Sequence, residues 1–459
     1  MPEVTAGKLC KAMGGDWITG NSKTRIKGVI CKSAEVKPGY LYFDVRGSRG
    51  GNNYFILQAV KKGAAAVVIS QNKKKLPFNN PNVAFISVPK LWTAFWKTVK
   101  FYRDMYNIPV VGVTGTSGKT TTTGMITSIF MRRWRTIKTI RNFNLPQFVP
   151  ERILRLNRGY QAAVFEIGMN RRNQISSQSR VIKPKVGIIT NIGTGHIEHL
   201  GSFENVIREK SGIMKGIPDN GYLVLNADDP ATKHIDLSGF KGKVVYYGLI
   251  NEADYTADDI KIKSGGTSFK GLIDGKKYEF FIPTYGKHNV YNALAAIAAA
   301  RLFNFDVKTI QQGLAKFHSP YQRLQMVKGI KNCLIIDDTY NANPNSVIAG
   351  LEVLSSLAGR KKSVAVLGNM LEQGKYSTKS HRKVGKKVEE LNIDWLITVG
   401  TLAKEIAKGV NSKKIKKWSF KWNNQAAGFL RRNLPENSVV LVKGSRGVRM
   451  ERVVNSLKF

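Results

Sequence analysis

The chain has 459 residues, 42% of them apolar and 23% charged, which indicates a globular protein of about three domains rather than a fibrous or disordered one. It has no apolar run of about 18 residues, no basic-then-apolar start typical of a secretory signal, and only three, widely spaced cysteines. We therefore expect a cytoplasmic protein without disulfides, and the net charge of +42, from 73 Lys and Arg against 31 Asp and Glu, favours anionic partners.

The first 107 residues are predicted to form a small α/β domain, with strands at 40–45 and 66–70. From 108 to 318, strand candidates repeatedly precede helix candidates, which favours a mostly parallel sheet. The strand candidates are VVGVT, AAVFEIG, KVGIITNIG, GYLVLNADD and KVVYYG. Hairpin turns are expected at Gly265-Gly266 and Asp274-Gly275, and an alanine-rich helix follows.

Residues 319–459 repeat this alternation in the segments NCLIIDD, SVAVLG, WLITVG and SVVLVKG. They predict a third domain, again an α/β unit with a parallel sheet. Ligands of open parallel sheets collect at the carboxyl ends of the strands. The polar residues that follow these strands are therefore the first candidates for a functional site.

The stretch GVTGTSGKTTT, centred on Lys119 and Thr120, lies between a strand candidate and a helix candidate. In such a loop, glycines let backbone N–H groups approach phosphate oxygens, a lysine offsets phosphate charge, and the next hydroxyl reaches magnesium. The usual pattern has glycine five positions before Gly118, where this chain has Val113. The loop predicts a variant ATP phosphate site, although a Gly/Thr-rich turn that binds no ligand would have a similar sequence.

Two further polar residues follow strand candidates. Glu166 ends the segment AAVFE, and His196 lies beyond KVGIIT. With Thr120 they offer a carboxylate, an imidazole and a hydroxyl, a set suited to Mg2+ or Mn2+ when phosphate completes the shell. Each also has a plainer explanation, because Glu166 would serve to cap a turn and His196 would face solvent in a Gly-rich loop.

Lys210 lies in the apolar stripe of a predicted helix. In SFENVIREKSGIMKG, Ser202 is a candidate N-cap, and the apolar residues that follow recur at helical spacing. A lysine at the edge of such a stripe would extend its ammonium group to water. The alternative is a lysine that faces inward because it is modified or paired at a metal site.

From residue 108 to the end, the chain resembles the Mur ligases, the ATP-dependent amide-forming ligases of bacterial cell-wall precursor synthesis. The similarity is greatest to the branch that adds D-alanyl-D-alanine to a UDP-muramoyl tripeptide. The motifs that carry the resemblance are, in order, TGTSGKTT, VFEIGMN, TNIGTGHIEHLGS, REKSG, LNADDP, GKHNVYNALAA, DDTYNANPNS, VLGNMLEQG with His381 beyond it, and VKGSRGVRMERVV. The resemblance implies three α/β domains, at 1–107, 108–318 and 319–459.

The resemblance also implies site residues. The expected catalytic residues are Lys119, Glu166, His196 and Lys210. The expected ATP-binding residues are Gly115, Thr116, Ser117, Gly118, Lys119, Thr120, Thr121, His288, Asn289, Asn292, Arg323 and Asp338. Thr120 and Glu166 would hold one magnesium ion and His196 with Lys210 a second, Lys210 carrying a carbamate made from CO2.

The implied reaction joins a carboxylate acceptor to an amino acid or dipeptide. A carboxylate attacks the γ-phosphorus of ATP to give an acyl phosphate, and an amine then displaces phosphate. The C-terminal domain must close over the nucleotide, which also excludes water. The expected substrate residues are Ser33, Asn142, Asn144, Asn341, Asn343, Lys443 and Arg446.

The chain departs from the family pattern where the acceptor should bind. A Ser-Arg pair is Ser33-Ala34 here, and an Asp-Gly-His triplet is replaced by Gly51-Asn52-Asn53. After the central glutamate, 171–174 read RRNQ, where the family often has small residues and a Gly-Glu pair. The acceptor therefore stays open between a UDP-muramoyl tripeptide and a different, anionic carboxylate.

Basic residues are dense at 131–141, MRRWRTIKTIR, and at 411–422, NSKKIKKWSFKW. The second segment interleaves aromatic side chains with lysines, as surfaces that bind single-stranded nucleic acid do. Because basic residues are spread along the whole chain, solvated faces explain these segments better. We expect a monomer without a specific nucleic-acid partner, and a different class of function, binding of an anionic polymer or the inner membrane face on a Mur fold, stays open.

Overall fold

The computed structural model describes residues 4–45, 53–72, 82–140 and 143–459. Among them, the N-terminal region has strands β1 (Val4–Thr5), β2 (Asp16–Thr19), β3 (Arg25–Ile26), β4 (Gly28–Ile30), β5 (Tyr40–Phe43), β6 (Ala66–Ser70) and β7 (Ala84–Val88). Its helices are α1 (Ala6–Met13), α2 (Tyr54–Lys61) and α3 (Leu91–Asp104). Strands in the order β2-β7-β6-β5-β4 form the N-terminal sheet, which is parallel except for the β2–β7 pair.

The central sheet has the order β16-β15-β14-β13-β12-β11-β8-β10-β9. Its strands are β8 (Val110–Thr114), β9 (Thr136–Lys138), β10 (Ala162–Glu166), β11 (Val186–Ile189), β12 (Tyr222–Asn226), β13 (Lys243–Gly248), β14 (Tyr255–Lys263), β15 (Gly266–Ile273) and β16 (Lys276–Ile282). The helices of this region are α4 (Lys119–Phe130), α5 (Val149–Ile153), α6 (Gln174–Ile182), α7 (Ile197–Leu200), α8 (Phe203–Ser211), α9 (Lys287–Arg301) and α10 (Val307–Ala315). The sheet is parallel from β9 to β14 and antiparallel beyond.

The C-terminal sheet has the order β17-β18-β22-β19-β20-β21 and is parallel except for its β17–β18 pair. Its strands are β17 (Gln325–Lys328), β18 (Leu334–Asp338), β19 (Ser363–Gly368), β20 (Trp395–Val399), β21 (Lys416–Phe420) and β22 (Val439–Lys443). The helices are α11 (Pro344–Ala358), α12 (Ser377–Glu390), α13 (Lys404–Lys408), α14 (Asn423–Asn433) and α15 (Glu451–Leu457). The predicted α/β class is confirmed.

The predicted strands are confirmed, and those in the middle of the sheets are buried on both faces. Every residue of β8 and of β10 is buried, as expected for central strands of a parallel sheet. The two expected hairpin turns are also present, and Gly265 and Gly275 have φ of 82° and 75°, values that favour glycine. Ser202 is the N-cap of α8, and its side chain accepts a hydrogen bond from the Asn205 backbone N–H.

The N-terminal region is fastened to the central region through α3. The Tyr102 hydroxyl donates to the Leu156 carbonyl at 2.5 Å, and Arg103 Nε donates to the Ile182 carbonyl at 2.9 Å. Buried apolar residues of the two regions form one continuous cluster, whereas those of the C-terminal sheet form separate clusters. The domain limits at 107 and 318 remain predictions. Within the described ranges, no helix is long and apolar enough to cross a membrane.

Candidate active site

The predicted phosphate loop joins β8 to α4. Gly115 and Gly118 have φ of 142° and 83°, and a Cβ on Gly115 would lie 1.9 Å from Thr190 Oγ1, so glycine is required there. Lys119 Nζ donates to the carbonyls of Gly115 and Thr116 at 2.9 and 3.2 Å, and burial lowers its pKa. Val113, where glycine is usual, is fully buried in β8. The substitution therefore lies in the strand and leaves the turn itself intact.

Glu166 ends β10 next to the loop. Its side chain is 2% exposed, and its Oε1 accepts a hydrogen bond from Asn144 Nδ2 at 2.6 Å. Among the described residues, its buried Oε2 has no hydrogen-bond partner. The carboxylate caps no turn, so that alternative explanation is wrong. A buried, unpartnered carboxylate oxygen beside a phosphate loop fits a hard cation such as Mg2+, which takes one or two carboxylates together with phosphate oxygens.

Lys210 is buried in α8 and only 1% exposed, so the prediction that it faces inward is confirmed and the alternative of a lysine reaching water is wrong. Burial, followed by repulsion from Lys119, holds its pKa well below the ordinary value. Within 4–45, 53–72, 82–140 and 143–459, no acidic side chain forms an ion pair with it. Burial and the lack of an ion-pair partner therefore both disfavour the charged form of this amine.

His196 lies in the loop after β11 with a left-handed φ of 63°. Its Nδ1 lies 2.8 Å from Glu372 Oε2 of the C-terminal domain, and its side chain is 25% exposed rather than free in solvent. Burial lowers the pKa of His196, while Glu372 opposes that effect. The described residues contain no cluster of three or more His, Cys, Asp or Glu that would hold a metal unaided. Any metal here would need phosphate oxygens as well.

One cavity of about 290 Å³ between the central and C-terminal domains collects most of the predicted residues. Those that line it are Gly115, Thr116, Ser117, Gly118, Lys119, Thr120, Asn144, Glu166, His196, Lys210, Arg323, Asn341, Asn343 and Arg446. An adjoining cavity of about 330 Å³ is lined by the predicted residues Ser117, Gly118, Thr121, His288, Asn289, Asn292, Arg323, Asp338 and Lys443. Residues that were far apart in the sequence thus meet along one cleft.

In the adjoining cavity, the predicted nucleotide residues are held by one another. Asn292 Oδ1 accepts from Thr122 Oγ1 at 3.2 Å, and its Nδ2 donates to Asn289 Oδ1 at 2.9 Å. Lys443 Nζ donates to Asp338 Oδ2 at 2.5 Å in a buried pair. The ammonium group that was expected to hold a substrate therefore fixes the carboxylate that was expected to bind ATP.

Other predicted residues lie apart from this cleft. Ser33 is in the N-terminal domain, where its hydroxyl donates to Gln58 Oε1 at 2.6 Å. Asn142 lies outside the described residues, as do Gly51 and Asn52 of the altered triplet. Neither cavity is lined by the exposed residues at 171 and 172. The positive charge that they add is thus at the surface, next to Asn170, which does line the first cavity.

Sequence reasoning missed Glu372 and Gln373, which line the cavity and contact the His196 loop. Their segment, VLGNMLEQG, was noted only as part of a resemblance. Both follow β19, so the rule that ligands meet the carboxyl ends of strands was a usable signal. It was also missed that Tyr340 lies under the Arg323 guanidinium, 4.2 Å from it.

The site combines a glycine loop at the amino end of a helix, buried lysines, and a carboxylate at the end of a parallel strand. These features define a phosphate-loop α/β protein with a cleft between two domains. Comparison with known protein families agrees with this assignment. The Mur ligase middle domain matches residues 113–300, and the Mur ligase glutamate ligase domain matches 322–446. The chain belongs to the Mur ligase family, and it is an ATP-dependent amide ligase.

Similar proteins cover the whole chain. A Bacillus subtilis protein named UDP-N-acetylmuramoyl-tripeptide–D-alanyl-D-alanine ligase is 32% identical over 95% of this chain and 94% of its own length. The Escherichia coli protein of the same name is 31% identical over 100% and 99%. A crystal structure of MurF from Acinetobacter baumannii has a TM-score of 0.88 at 29% identity, covering 100% of this chain and 99% of that one. MurF from Thermotoga maritima, in complex with ADP, has a TM-score of 0.81 at 26% identity over 94% and 96%.

Proposed function

We propose that the chain joins D-alanyl-D-alanine to a UDP-N-acetylmuramoyl tripeptide in peptidoglycan precursor synthesis, at the expense of ATP and in the cytoplasm. The names of near full-length relatives support this choice of substrates. The observation that carries the chemistry is the convergence of Lys119, Glu166, His196 and Lys210 on one cavity. That cavity lies between the domain with the phosphate loop and the C-terminal domain.

The proposed reaction forms one P–O bond and then one C–N bond. A carboxylate oxygen of the tripeptide attacks the γ-phosphorus, the β–γ bridging oxygen leaves with ADP, and an acyl phosphate results. The dipeptide amine then attacks the acyl carbon, loses a proton, and expels inorganic phosphate. Charge repulsion between the carboxylate and the γ-phosphate opposes the first step, so the site must supply positive charge and exclude water.

Lys119 and the loop amides are the proposed groups that bind the phosphates. The ammonium of Lys119 now contacts loop carbonyls, and it needs only to turn toward an arriving phosphate. Thr120 and Glu166 would hold Mg2+, and the unpartnered Oε2 of Glu166 fits that role. When bound, Mg2+ supplies positive charge that offsets the transferring phosphoryl group.

We assign to His196 and Lys210 a second cation position. A lysine is a poor cation ligand unless its charge is removed, and burial already lowers the Lys210 pKa. The neutral form of an amine adds CO2 through a new N–C bond and releases one proton to water, and the resulting carbamate anion presents oxygen ligands in place of a positive charge. The absence of an ion-pair partner for this buried side chain among the described residues fits that modification.

The acceptor is expected to reach the cavity from the N-terminal domain, whose nucleotide pocket departs from the family pattern. There Ser33 is bound to Gln58, and Asn53 Oδ1 is buried with no hydrogen-bond partner in the described part of the chain. Asn53 occupies the histidine position of the altered triplet. These contacts support a changed pocket, and another anionic carboxylate is the alternative acceptor.

The test of the activity is phosphate release from ATP with UDP-N-acetylmuramoyl tripeptide and D-alanyl-D-alanine. We expect release that requires both substrates and Mg2+, with a product heavier by the dipeptide less one water. Absence of release by folded, nucleotide-binding protein would contradict the proposed substrates. Release with a different carboxylate acceptor in the same assay would favour the alternative instead.

The test of the Lys210 assignment compares Lys210→Ala with Lys215→Ala, a matched change at an exposed lysine close by in the chain. We expect turnover to be lost in the first variant and kept in the second. With 13C-labelled bicarbonate, the wild type should show a carbamate carbonyl signal in its NMR spectrum that Lys210→Ala lacks. An identical spectrum in the two proteins would remove the carbamate from the proposal.

A further inference from the structure

Gln373 is a buried side chain that bridges two domains. It is 2% exposed, and its Oε1 accepts hydrogen bonds from Thr194 Oγ1 and from Ser380 Oγ, both at 3.2 Å. Thr194 lies in the loop after β11 that carries His196, whereas Ser380 lies in α12 of the C-terminal domain. A single amide oxygen thus joins the His196 loop to the C-terminal domain.

The same loop is fastened at its other end to the phosphate loop. The Gly193 backbone N–H donates to Thr116 Oγ1 at 2.8 Å, and the Thr116 backbone N–H donates to the Asn191 carbonyl at 2.8 Å. These bonds continue the contact between Thr194 and Gln373. A continuous hydrogen-bonded path therefore runs from α12 through the His196 loop to the groups that bind phosphate.

Glu372, the residue before Gln373, has a left-handed φ of 62°. A non-glycine residue adopts this conformation only where its neighbours hold it, and such positions concentrate at functional sites. Two contacts hold it here: the buried side chain of Gln373 after it, and the Leu371 backbone N–H before it, which donates to Ser445 Oγ at 2.9 Å. The result is a Glu372 carboxylate directed at His196, 2.8 Å away.

The C-terminal side of this bridge is rigid. The Met370 backbone N–H donates to His381 Nε2 at 3.0 Å, and His381 Nδ1 contacts the Ser377 carbonyl at 2.7 Å. His381 is fully buried in α12, next to Ser380. The segment that presents Gln373 therefore moves with α12, and any shift of the C-terminal domain is passed on to the His196 loop.

We propose that Gln373 is a positioning residue for phosphoryl transfer, which aligns the His196 loop with the phosphate loop when the C-terminal domain closes. In this role it acts through Thr194 and Glu372. The inference rests on the proposed function for the identity of the chemical step. The bridge itself rests on the contacts of Gln373, Thr194 and Ser380.

The test removes each end of the cross-domain bond in Gln373→Leu, in Thr194→Val and in the double variant. Because the bond orders the loop in the closed state, each single change should lower kcat at least about fivefold and change KM for ATP less than about twofold. The double variant should lose no more kcat than the less active of the two single variants. Thr194→Ser, which keeps the hydroxyl, should have a kcat close to that of the wild type. Gln311→Leu is the matched control, because Gln311 Nε2 donates to the Glu279 carbonyl far from the cleft.

Closure is measured separately, as the decrease in radius of gyration by small-angle X-ray scattering when ADP and Mg2+ are added. The wild type and Gln311→Leu should contract, and Gln373→Leu and Thr194→Val should contract less at saturating nucleotide. Contraction of the wild type without turnover of the proposed substrates would overturn the proposed function alone. Three outcomes would overturn the positioning role. The first is unchanged kcat and unchanged contraction in both Gln373→Leu and Thr194→Val, and the second is additive losses of kcat in the double variant. The third is no contraction of the wild type.

Discussion

Gly118 is fixed by contacts on the far side of the phosphate loop. Its φ is 83°, and a Cβ there would lie 2.3 Å from Asn292 Oδ1, the atom that also accepts from Thr122. A side chain would therefore have to push the Asn292 side chain aside as well as strain the backbone. The phosphate loop and the start of α9 are in direct contact, so the predicted ATP-binding residues of α9 and those of the loop depend on each other.

We expect Gly118→Ala to weaken nucleotide binding by at least about tenfold, because the strained turn and the clash both move the loop amides. Titration with ADP, followed by calorimetry, measures the effect. Gly239→Ala is the control, since Gly239 has a φ of 74° but no atom within 4 Å of its would-be Cβ. Equal ADP affinity in Gly118→Ala and the wild type would show that Asn292 yields without moving the loop.

His288 is a second residue with a measurable consequence. Burial, together with repulsion from Lys443, outweighs attraction to Asp338 and lowers its pKa from 6.5 to about 4. Above pH 6.5 the ring is neutral in both the folded and the unfolded chain and contributes nothing to the pH dependence. As the pH falls from 6.5 to about 4, only the unfolded chain binds the proton, so the free energy of unfolding falls by at most about 1.4 kcal/mol per pH unit.

His288→Gln should remove this contribution. The difference in the free energy of unfolding between wild type and variant, measured with urea on the nucleotide-free protein, should be constant above pH 6.5 and should shift in favour of the variant below it. Taking the difference cancels the contributions of the other buried histidines. A difference that stays constant down to about pH 4 would mean that His288 titrates normally in the folded protein.

At the scale of elements, the start of α11 has two functions at once. Asn343 is the N-cap, accepting from the Ser346 backbone N–H at 3.0 Å, and its Nδ2 also donates to Ser117 Oγ of the phosphate loop at 3.0 Å. One side chain thus stabilises a helix of the C-terminal domain and attaches that helix to the nucleotide site. Loss of this side chain should affect stability and nucleotide binding together.

We expect Asn343→Ala to lower the free energy of unfolding by about 1 kcal/mol, as loss of an N-cap does, and also to raise KM for ATP. Asp306→Ala is the matched control, because Asp306 caps α10 by accepting from the Thr309 backbone N–H at 2.8 Å but contacts no phosphate loop. It should lose similar stability at unchanged KM. Thermal unfolding and initial rates measure the two quantities, and a raised KM in both variants would assign the effect to stability alone.

Uniform burial made several strands predictable from the sequence. Strands such as β8 and β19 are buried throughout, so an apolar run marks them without knowledge of their neighbours. Strands β2 and β17 were not predicted, because they are short, half-exposed and paired antiparallel at sheet edges. Their place depends on tertiary contacts that no local pattern contains.

A site residue could be predicted where its own sequence context already called for an explanation. Lys210 was found because a lysine in an apolar stripe needs an explanation, and the phosphate loop because its glycines lie in a strand-to-helix frame. The bond between Gln373 and Thr194 and the pairing of Lys443 with Asp338 carry no such signal, because each joins segments far apart in the chain. Finding the first required the relative position of two domains, and finding the second required the pairing of β18 with β22.

In the whole molecule, the N-terminal and central domains are joined differently from the way the C-terminal domain is joined to them. The N-terminal and central domains share a continuous apolar core and the buried contacts of α3. The C-terminal domain meets the nucleotide site through side-chain contacts such as Ser117 with Asn343 and His196 with Glu372. Polar contacts exchange readily with water and ligands, so the C-terminal domain is the part expected to move.

The net charge of +42 is also a property of the whole molecule. With 73 basic and 31 acidic side chains, most basic residues have no acidic partner to pair with, and the ion pairs of the described residues are largely exposed. Exposed pairs contribute little, whereas repulsion among the unpaired charges opposes the compact state and is screened by salt. Screening should therefore stabilise this protein more than it weakens the existing pairs.

We expect the Tm to rise by several degrees as NaCl is increased from about 20 mM to about 500 mM, because the Debye length shortens and the repulsion falls. Differential scanning calorimetry measures it. Sodium sulfate at matched ionic strength separates screening, which depends on ionic strength, from binding of a particular anion at the phosphate loop. A Tm that is flat or falls with salt would show that the charges are already compensated, and it would remove charge repulsion as the reason to expect an anionic partner.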